Sequence, residues 1–158
     1  MALPPAPPPL APANAALAWL LGPWECDATV RPELPAAEVR AHGRLIVDAY
    51  MDVWIGAGFE AETPSVPKGD MYLGYDPAAG SWSLLGFRSD GSHYVLSSPG
   101  EVGGRIDWSG TSSAAGKTRE LKATWIHKGG TELQIQMDRR PGIEAGTFQL
   151  TCTRPPAG

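Results

Sequence analysis

Histidine and carboxylate side chains are the groups in this sequence best suited to acid–base chemistry or metal binding. The three histidines are His42, His93 and His127, and none stands at the short spacing from another that metal ligands show. We therefore expect no metal site. His93 and His127 are the candidate catalytic acids or bases, since each has an aromatic neighbour in a predicted strand. The carboxylates of Asp52 and Asp70 are their candidate partners.

No local motif assigns a reaction to these groups. The sequence has no glycine-rich phosphate loop, no nucleophile–base spacing and no motif of paired carboxylates. Catalytic triads need not be local in sequence, so a small enzyme of the isomerase or cyclase type remains an alternative.

Aromatic residues give a stronger indication, and it favours ligand binding. The chain has six tryptophans among 158 residues, and such side chains supply much apolar area to a core or a cavity wall. A cavity with an aromatic lining and one or two polar groups is the usual form of a small-molecule site. A filled core would instead indicate a structural or interaction domain. The predicted ligand-binding residues are Trp54, Tyr72, Trp82, Phe87, Trp108 and Trp125.

The stretch from Lys68 to Ser89 predicts the element that positions these residues. Asp76–Gly80 has the composition of a tight turn, with aspartate first, proline next and glycine last. The flanking segments, Asp70–Tyr75 and Ser81–Arg88, are rich in the aromatic and branched residues that suit a half-buried strand. Together they predict an antiparallel hairpin.

Short strands of the same kind occupy most of the chain. They are predicted at Glu25–Arg31, Glu38–Val47, Val53–Glu60, Ser92–Ser98, Arg105–Thr111, Thr118–Lys128, Thr131–Asp138 and Thr147–Arg154. Alternation of apolar and polar residues implies one face in a core and one in water. We predict an all-β, up-and-down antiparallel barrel of about nine or ten strands, because closure removes the exposed edges. A two-sheet sandwich is the alternative.

The N-terminal region differs from the rest in composition. Residues 1–13 are rich in proline and alanine and are predicted to form an extended tail, followed by one domain at 14–158. Asn14 is a good N-cap for a short helix over Ala15–Leu21, and Gly22 stands where such a helix should end.

Charge and hydropathy limit the partners. The formal net charge is −4, which disfavours nucleic acid. No apolar run approaches the ~18 residues of a membrane span, and prolines interrupt any signal-peptide core. We expect a cytoplasmic protein that binds a small hydrophobic molecule without nucleic acid or membrane, with a homodimer through a sheet face as an alternative assembly.

The two cysteines, Cys26 and Cys152, occupy the apolar faces of the first and last predicted strands. In a closed barrel these strands are neighbours, so we expect the two sulfur atoms to lie close together. In a reducing cytoplasm they would be mostly free thiols.

Three segments give the chain a resemblance to a known family. Leu20–Trp24, Gly69–Asp76 and Gly104–Gly110 resemble the bacterial domain-of-unknown-function family numbered 1579, over roughly Leu17 to Arg154. Gly22-Pro23-Trp24 is also similar to the Gly-x-Trp motif of lipocalin-type barrels. The resemblance implies a lipocalin-like barrel in which Arg154, on the last strand, packs over Trp24 through a cation–π contact.

The resemblance implies no reaction, since the family has no established activity. The usual Gly-Gly turn after the second strand is replaced by Tyr50-Met51-Asp52. Haem binding, as in the similar nitrobindin group, would require a proximal histidine late in the chain. The last histidine is His127, so we expect no cofactor.

Overall fold

Strand-forming patterns dominate the chain, and a computed structural model of the protein arranges the strands in one closed antiparallel barrel. The structure describes residues 14–32, 36–51, 53–140 and 146–156. The predicted tail at 1–13 and the candidate residue Asp52 lie outside the described residues. The strands are β1 (Gly22–Arg31), β2 (Val39–Tyr50), β3 (Trp54–Ala61), β4 (Gly69–Asp76), β5 (Ser81–Arg88), β6 (His93–Ser98), β7 (Glu101–Val102), β8 (Arg105–Ala114), β9 (Lys117–Lys128), β10 (Glu132–Arg139) and β11 (Thr147–Thr153).

The connectivity is that of an up-and-down barrel. Strands that follow one another in sequence pair in antiparallel fashion, and β1 pairs with β11 to close the wall. The two-residue strand β7 pairs with the start of β8, while β6 pairs with the rest of β8. Ten strands therefore form the wall, which confirms the predicted all-β barrel and removes the sandwich alternative. A two-residue strand is too short to show alternation, so β7 was not predicted.

Alternation along the strands separates core from surface. In β10 the side chains of Leu133, Ile135 and Met137 are buried, whereas Glu132 is exposed. Burying one such side chain stabilises the fold by about 1.5–3 kcal/mol.

The predicted hairpin turns also form. The Asp76 carboxylate accepts hydrogen bonds from the backbone N–H groups of Ala78 and Ala79, at 2.9 and 3.3 Å. Gly80 closes this turn with a φ of +66°, a conformation that costs glycine little. Gly129 and Gly130 likewise have positive φ values between β9 and β10.

The predicted short N-terminal helix forms. Asn14–Leu20 forms a 3₁₀ helix, with Leu17 in a non-helical conformation. Leu17 and Leu20 are nevertheless buried against the barrel, as their spacing suggests. In the described part of the chain, no helix is long and apolar enough to cross a membrane.

The cysteine prediction was right about proximity and wrong about the thiols. Cys26 and Cys152 are directly opposite each other in the β1–β11 ladder, with Cα atoms 4.1 Å apart, and they form a disulfide. Their Cα distance is close to the ~4.5 Å of a non-hydrogen-bonded antiparallel pair, which brings the Cβ atoms near enough to bridge. The covalent bond thus lies across the seam that closes the barrel.

Candidate ligand-binding site

A cavity of about 250 Å³ lies inside the barrel at the end where β1, β3 and β5 finish. We call this end the open end. Inward-facing apolar side chains from five strands line its floor, namely Phe59, Met71, Leu121, Ile135, Met137 and Leu150. The volume lies just below the range of about 300–1,000 Å³ that is typical of drug-sized ligands, so the cavity suits a smaller molecule.

Part of the mouth is covered by the loop between β3 and β4. Val66 of this loop is buried, and its neighbours Ser65 and Pro67 also line the cavity. The backbone N–H of Glu62 donates to the carbonyl of His42 at 2.8 Å, which fastens the start of the loop to β2.

An arginine and two aromatic rings meet across the rest of the mouth. The guanidinium carbon of Arg88, at the end of β5, lies 5.1 Å from the ring centre of Phe148 on β11. Phe148 meets Phe59 of β3 edge to face, with ring centres 6.3 Å apart. These strands are not neighbours in the sheet, so the contacts span the mouth.

The charge of Arg88 has no opposite charge bound to it among the described residues. Among the residues that the structure describes, no carboxylate lies within ion-pair distance of its guanidinium, which also donates no hydrogen bond to them. Arg88 shares the inward face of β5 with the buried residues Leu84 and Gly86. A cation therefore stands at the mouth of an apolar cavity.

Two hydroxyl groups lie below this cation. Tyr94 is 7% exposed and sits opposite Ser112 in the β6–β8 ladder, and both line the cavity. Neither hydroxyl is hydrogen-bonded to another described residue. Burial raises the pKa of Tyr94 to about 12, while the nearby charge of Arg88 acts in the opposite direction.

Glycine makes room for the Tyr94 ring. A Cβ atom added to Gly86 would lie 2.0 Å from Cζ of Tyr94 and under 2.6 Å from the two neighbouring ring carbons. Only a residue without a side chain lets the ring lie flat against β5 and point its hydroxyl into the cavity.

Two carboxylates also belong to the rim. Oδ1 of Asp90 accepts hydrogen bonds from the backbone N–H and the hydroxyl of Ser92, at 2.9 and 2.6 Å. Partial burial raises the pKa of Asp90, but these hydrogen bonds and the charges of Arg88 and Arg139 bring it below its ordinary value. Asp70 is exposed, with Oδ1 over Gly58 on the outer surface. Neither carboxylate is paired with Arg88.

The opposite end of the barrel is closed by a cluster around Trp24, and we call it the sealed end. The guanidinium of Arg154 lies 3.7 Å from the Trp24 ring centre, which confirms the predicted cation–π contact. Arg154 also donates hydrogen bonds to the carbonyls of Trp19, Pro23 and Gly130, at 2.6–3.0 Å. Trp24 donates to the Leu20 carbonyl at 2.9 Å. These bonds fix the 3₁₀ helix over the barrel end.

The candidate base His127 belongs to this sealed end and not to the cavity. Its ring stacks on Trp19 with centres 3.6 Å apart, and Nε2 is hydrogen-bonded to Glu101. Nδ1 is buried without a partner. This histidine–carboxylate pair therefore holds the helix against β7 and β9, at the far end from the cavity.

The other candidate, His93, and the remaining histidine, His42, do not form an acid–base pair in the cavity either. His93 lies at the rim, but Phe87 separates it from Asp70 in the ladders of β4, β5 and β6, and no hydrogen bond joins the two. His42 is hydrogen-bonded to Asp27 and Glu25 on the outer surface. In the described ranges, no group of three or more metal-ligating residues is placed to hold an ion.

The predicted aromatic wall does not coincide with the cavity. Phe87 lines its rim and is 53% exposed, whereas Trp82, Trp108 and Trp125 are buried in the core without contributing to the lining. Trp54 and Tyr72 lie on the outer face of β3 and β4, because their positions have the opposite parity to the buried Ile55 and Leu73. The tryptophan-lined cavity expected from the sequence is thus replaced by one with an aliphatic, methionine and phenylalanine floor.

Strand direction, which can be derived from the sequence, places several of the tryptophans at the end of the barrel away from the cavity. In an up-and-down barrel, the first residues of β1 and β5 and the last residues of β9 lie at the same end. Trp24, Trp82 and Trp125 occupy these positions and therefore share one end. By the same rule Arg88 and Phe148 share the other end, although nothing local in the sequence shows that their side chains meet.

Comparison with known proteins supports the fold and adds no activity. No family model matches the chain, and no curated protein matches it. Among solved structures, the chain is similar to Rv2717c from M. tuberculosis, with a TM-score of 0.72 and 16% sequence identity. The match covers 94% of this chain and all of that one. At this identity the likeness concerns the barrel fold alone.

Proposed function

We propose that this protein binds a small, largely apolar molecule in the cavity at the open end. The observation that carries the proposal is an apolar cavity of about 250 Å³ that lies under the mouth of a barrel whose other end is sealed. A dry cavity of about 150 Å³ is known to hold benzene, so this one has room for roughly ten non-hydrogen atoms.

The expected affinity follows from the area that such a molecule would bury. A ligand of this size exposes about as much apolar surface as an aromatic side chain, roughly 200 Å². At about 25 cal/mol per Å² its burial contributes about 5 kcal/mol, which corresponds to a Kd of about 0.2 mM. Polar contacts would strengthen binding and lower the Kd further.

A cavity-filling variant tests the proposal. Leu121 and Lys122 are neighbours on β9, and the first points into the cavity while the second is exposed. Leu121→Trp should abolish binding of 1-octanol in isothermal titration calorimetry, because the larger ring occupies the space. Lys122→Trp adds the same ring outside the barrel and should leave binding unchanged.

Folding of both variants is checked by thermal melting followed by circular dichroism. If the folded wild type binds neither 1-octanol nor octanoate, or if both variants bind 1-octanol equally, the cavity is not a ligand site. We expect binding without turnover, because His93, a histidine of the cavity rim, is hydrogen-bonded to no carboxylate among the described residues.

A further inference from the structure

We infer that the ligand of this cavity carries an anionic head group, such as a carboxylate, which Arg88 binds at the mouth while the apolar body lies on the floor. This inference rests on the proposed function, since it specifies the chemistry of the molecule bound there.

The first observation is the unused hydrogen-bonding capacity of Arg88. Its guanidinium has five N–H donors, and among the described residues it meets only the face of Phe148. An arginine on the inward face of a strand, above an apolar cavity, is costly to hold there without an anion. A bound carboxylate would supply the missing acceptors in the bidentate geometry that guanidinium groups favour.

The second observation is the pair of hydroxyl groups beside it. Tyr94 and Ser112 face each other across β6 and β8, line the same cavity and donate to no described residue. Two hydroxyl donors and one cation, set above an apolar floor, match a head group with several acceptor oxygens better than they match a wholly apolar ligand.

Three other charged side chains at the rim are already engaged or point outward. Asp90 is hydrogen-bonded to Ser92, and Asp70 lies over the outer surface. Arg31 is paired with Glu38, whose Oε2 lies 3.0 Å from its Nε. Arg139 contributes a further positive charge close enough to lower the pKa of Asp90. Arg88 thus faces the cavity without a carboxylate of the described residues in ion-pair contact.

Matched probes separate this inference from the proposed function. Octanoate and 1-octanol share a chain length that suits about ten non-hydrogen atoms, and they differ in the head group. Apolar transfer alone favours the alcohol, because a carboxylate is held more strongly by water. If Arg88 binds the head group, calorimetry should give octanoate the lower Kd by about 10- to 100-fold, the range expected for hydrogen bonds to charged groups.

Variants at Arg88 locate the effect. Arg88→Met keeps the apolar stem over Phe148 and should weaken octanoate binding at least about tenfold, while 1-octanol changes less than about threefold. Arg88→Lys keeps the charge and should retain part of the preference. Arg105→Met removes a positive charge that is paired with Asp107 on the outer face and should change neither affinity.

The outcomes are distinct. Binding of 1-octanol as tight as that of octanoate in the wild type overturns the anionic head group and leaves the proposed function standing. A preference for octanoate that survives in Arg88→Met overturns the role of Arg88. Binding of neither probe by the folded protein overturns both proposals. The wild-type comparison requires no variant, so it decides the head group even where Arg88→Met fails to fold.

Discussion

Reduction of the disulfide between Cys26 and Cys152 should lower the free energy of unfolding by up to about 5 kcal/mol. The two residues are 126 positions apart in sequence, so the bond encloses most of the chain in one loop. In the chain-entropy treatment, a loop of about 100 residues restricts the unfolded chain by about 4.7 kcal/mol, and the value rises slowly with length. Domain stabilities are typically about 5–15 kcal/mol, so the bond accounts for a large share.

Urea denaturation with and without a reductant measures this effect. The midpoint should fall on reduction, and the dependence of the free energy on urea should steepen, because an unfolded chain without the cross-link exposes more surface. Mass spectrometry after alkylation of free thiols establishes the oxidation state of each sample. Cys26→Ala/Cys152→Ala is the control, since the reductant should change nothing in that variant.

A small effect would refute this reasoning. If the oxidised and reduced proteins differ by less than about 1 kcal/mol with unchanged urea dependence, the unfolded chain is not restricted by the bond. Alkylation of both cysteines in the protein purified without reductant would show that the seam is closed by hydrogen bonds alone.

Three further predictions concern single side chains. An unfolded tyrosine loses its proton near pH 10, whereas folded Tyr94 should keep its proton up to about pH 12, so the free energy of unfolding falls by about 1.4 kcal/mol per pH unit in this window. An ultraviolet titration should show a late phenolate step that Tyr94→Phe lacks. If the variant still shows this step, it belongs to another group. Hydrogen bonds to Asp27 and then Glu25 raise the pKa of His42. This exposed network therefore stabilises the fold below pH 6.5 and ceases to do so as the pH rises through the pKa of the folded state. NMR titration should give a lower pKa for His42 in Asp27→Asn, and an unchanged value would contradict the contact. Gly86→Ala should lower the free energy of unfolding in urea by about 1–3 kcal/mol, because the new methyl group displaces the Tyr94 ring. In a Tyr94→Leu background the same substitution should lower it less, and equal losses in both backgrounds would exclude this clash.

Local patterns were enough to predict the wall of the barrel. The turn at Asp76–Gly80 and the pair Gly129-Gly130 mark hairpins through backbone conformations that few other residues adopt. Alternation then predicted which side chains face inward, including those of Cys26 and Cys152. Their proximity follows from the closure of the barrel between its first and last strands. The short N-terminal helix was predicted as well, but its 3₁₀ form was not, since propensity does not include the packing of Leu17 and Leu20 on the barrel end.

The same patterns could not predict the cavity. Parity shows that Trp108 and Trp125 point inward, but it does not show where a ten-stranded interior remains unfilled. That depends on which side chains meet across the barrel, such as Arg88 with Phe148, and these contacts join strands distant in sequence. The sequence pattern marks Arg88 only as the last residue of a predicted strand, and its position over Phe148 depends on contacts between distant strands.

The Trp24–Arg154 cluster also determines where a fusion partner or a solid support can be attached to the protein. The described chain begins at Asn14 in the 3₁₀ helix and continues to Pro156, two residues beyond Arg154, so both of its ends leave from the side away from the cavity. A fusion partner, a resin or a biosensor chip joined directly before Asn14 or after Pro156 would lie at the sealed end, away from the mouth. Immobilised protein should therefore take up small molecules as readily as protein in free solution.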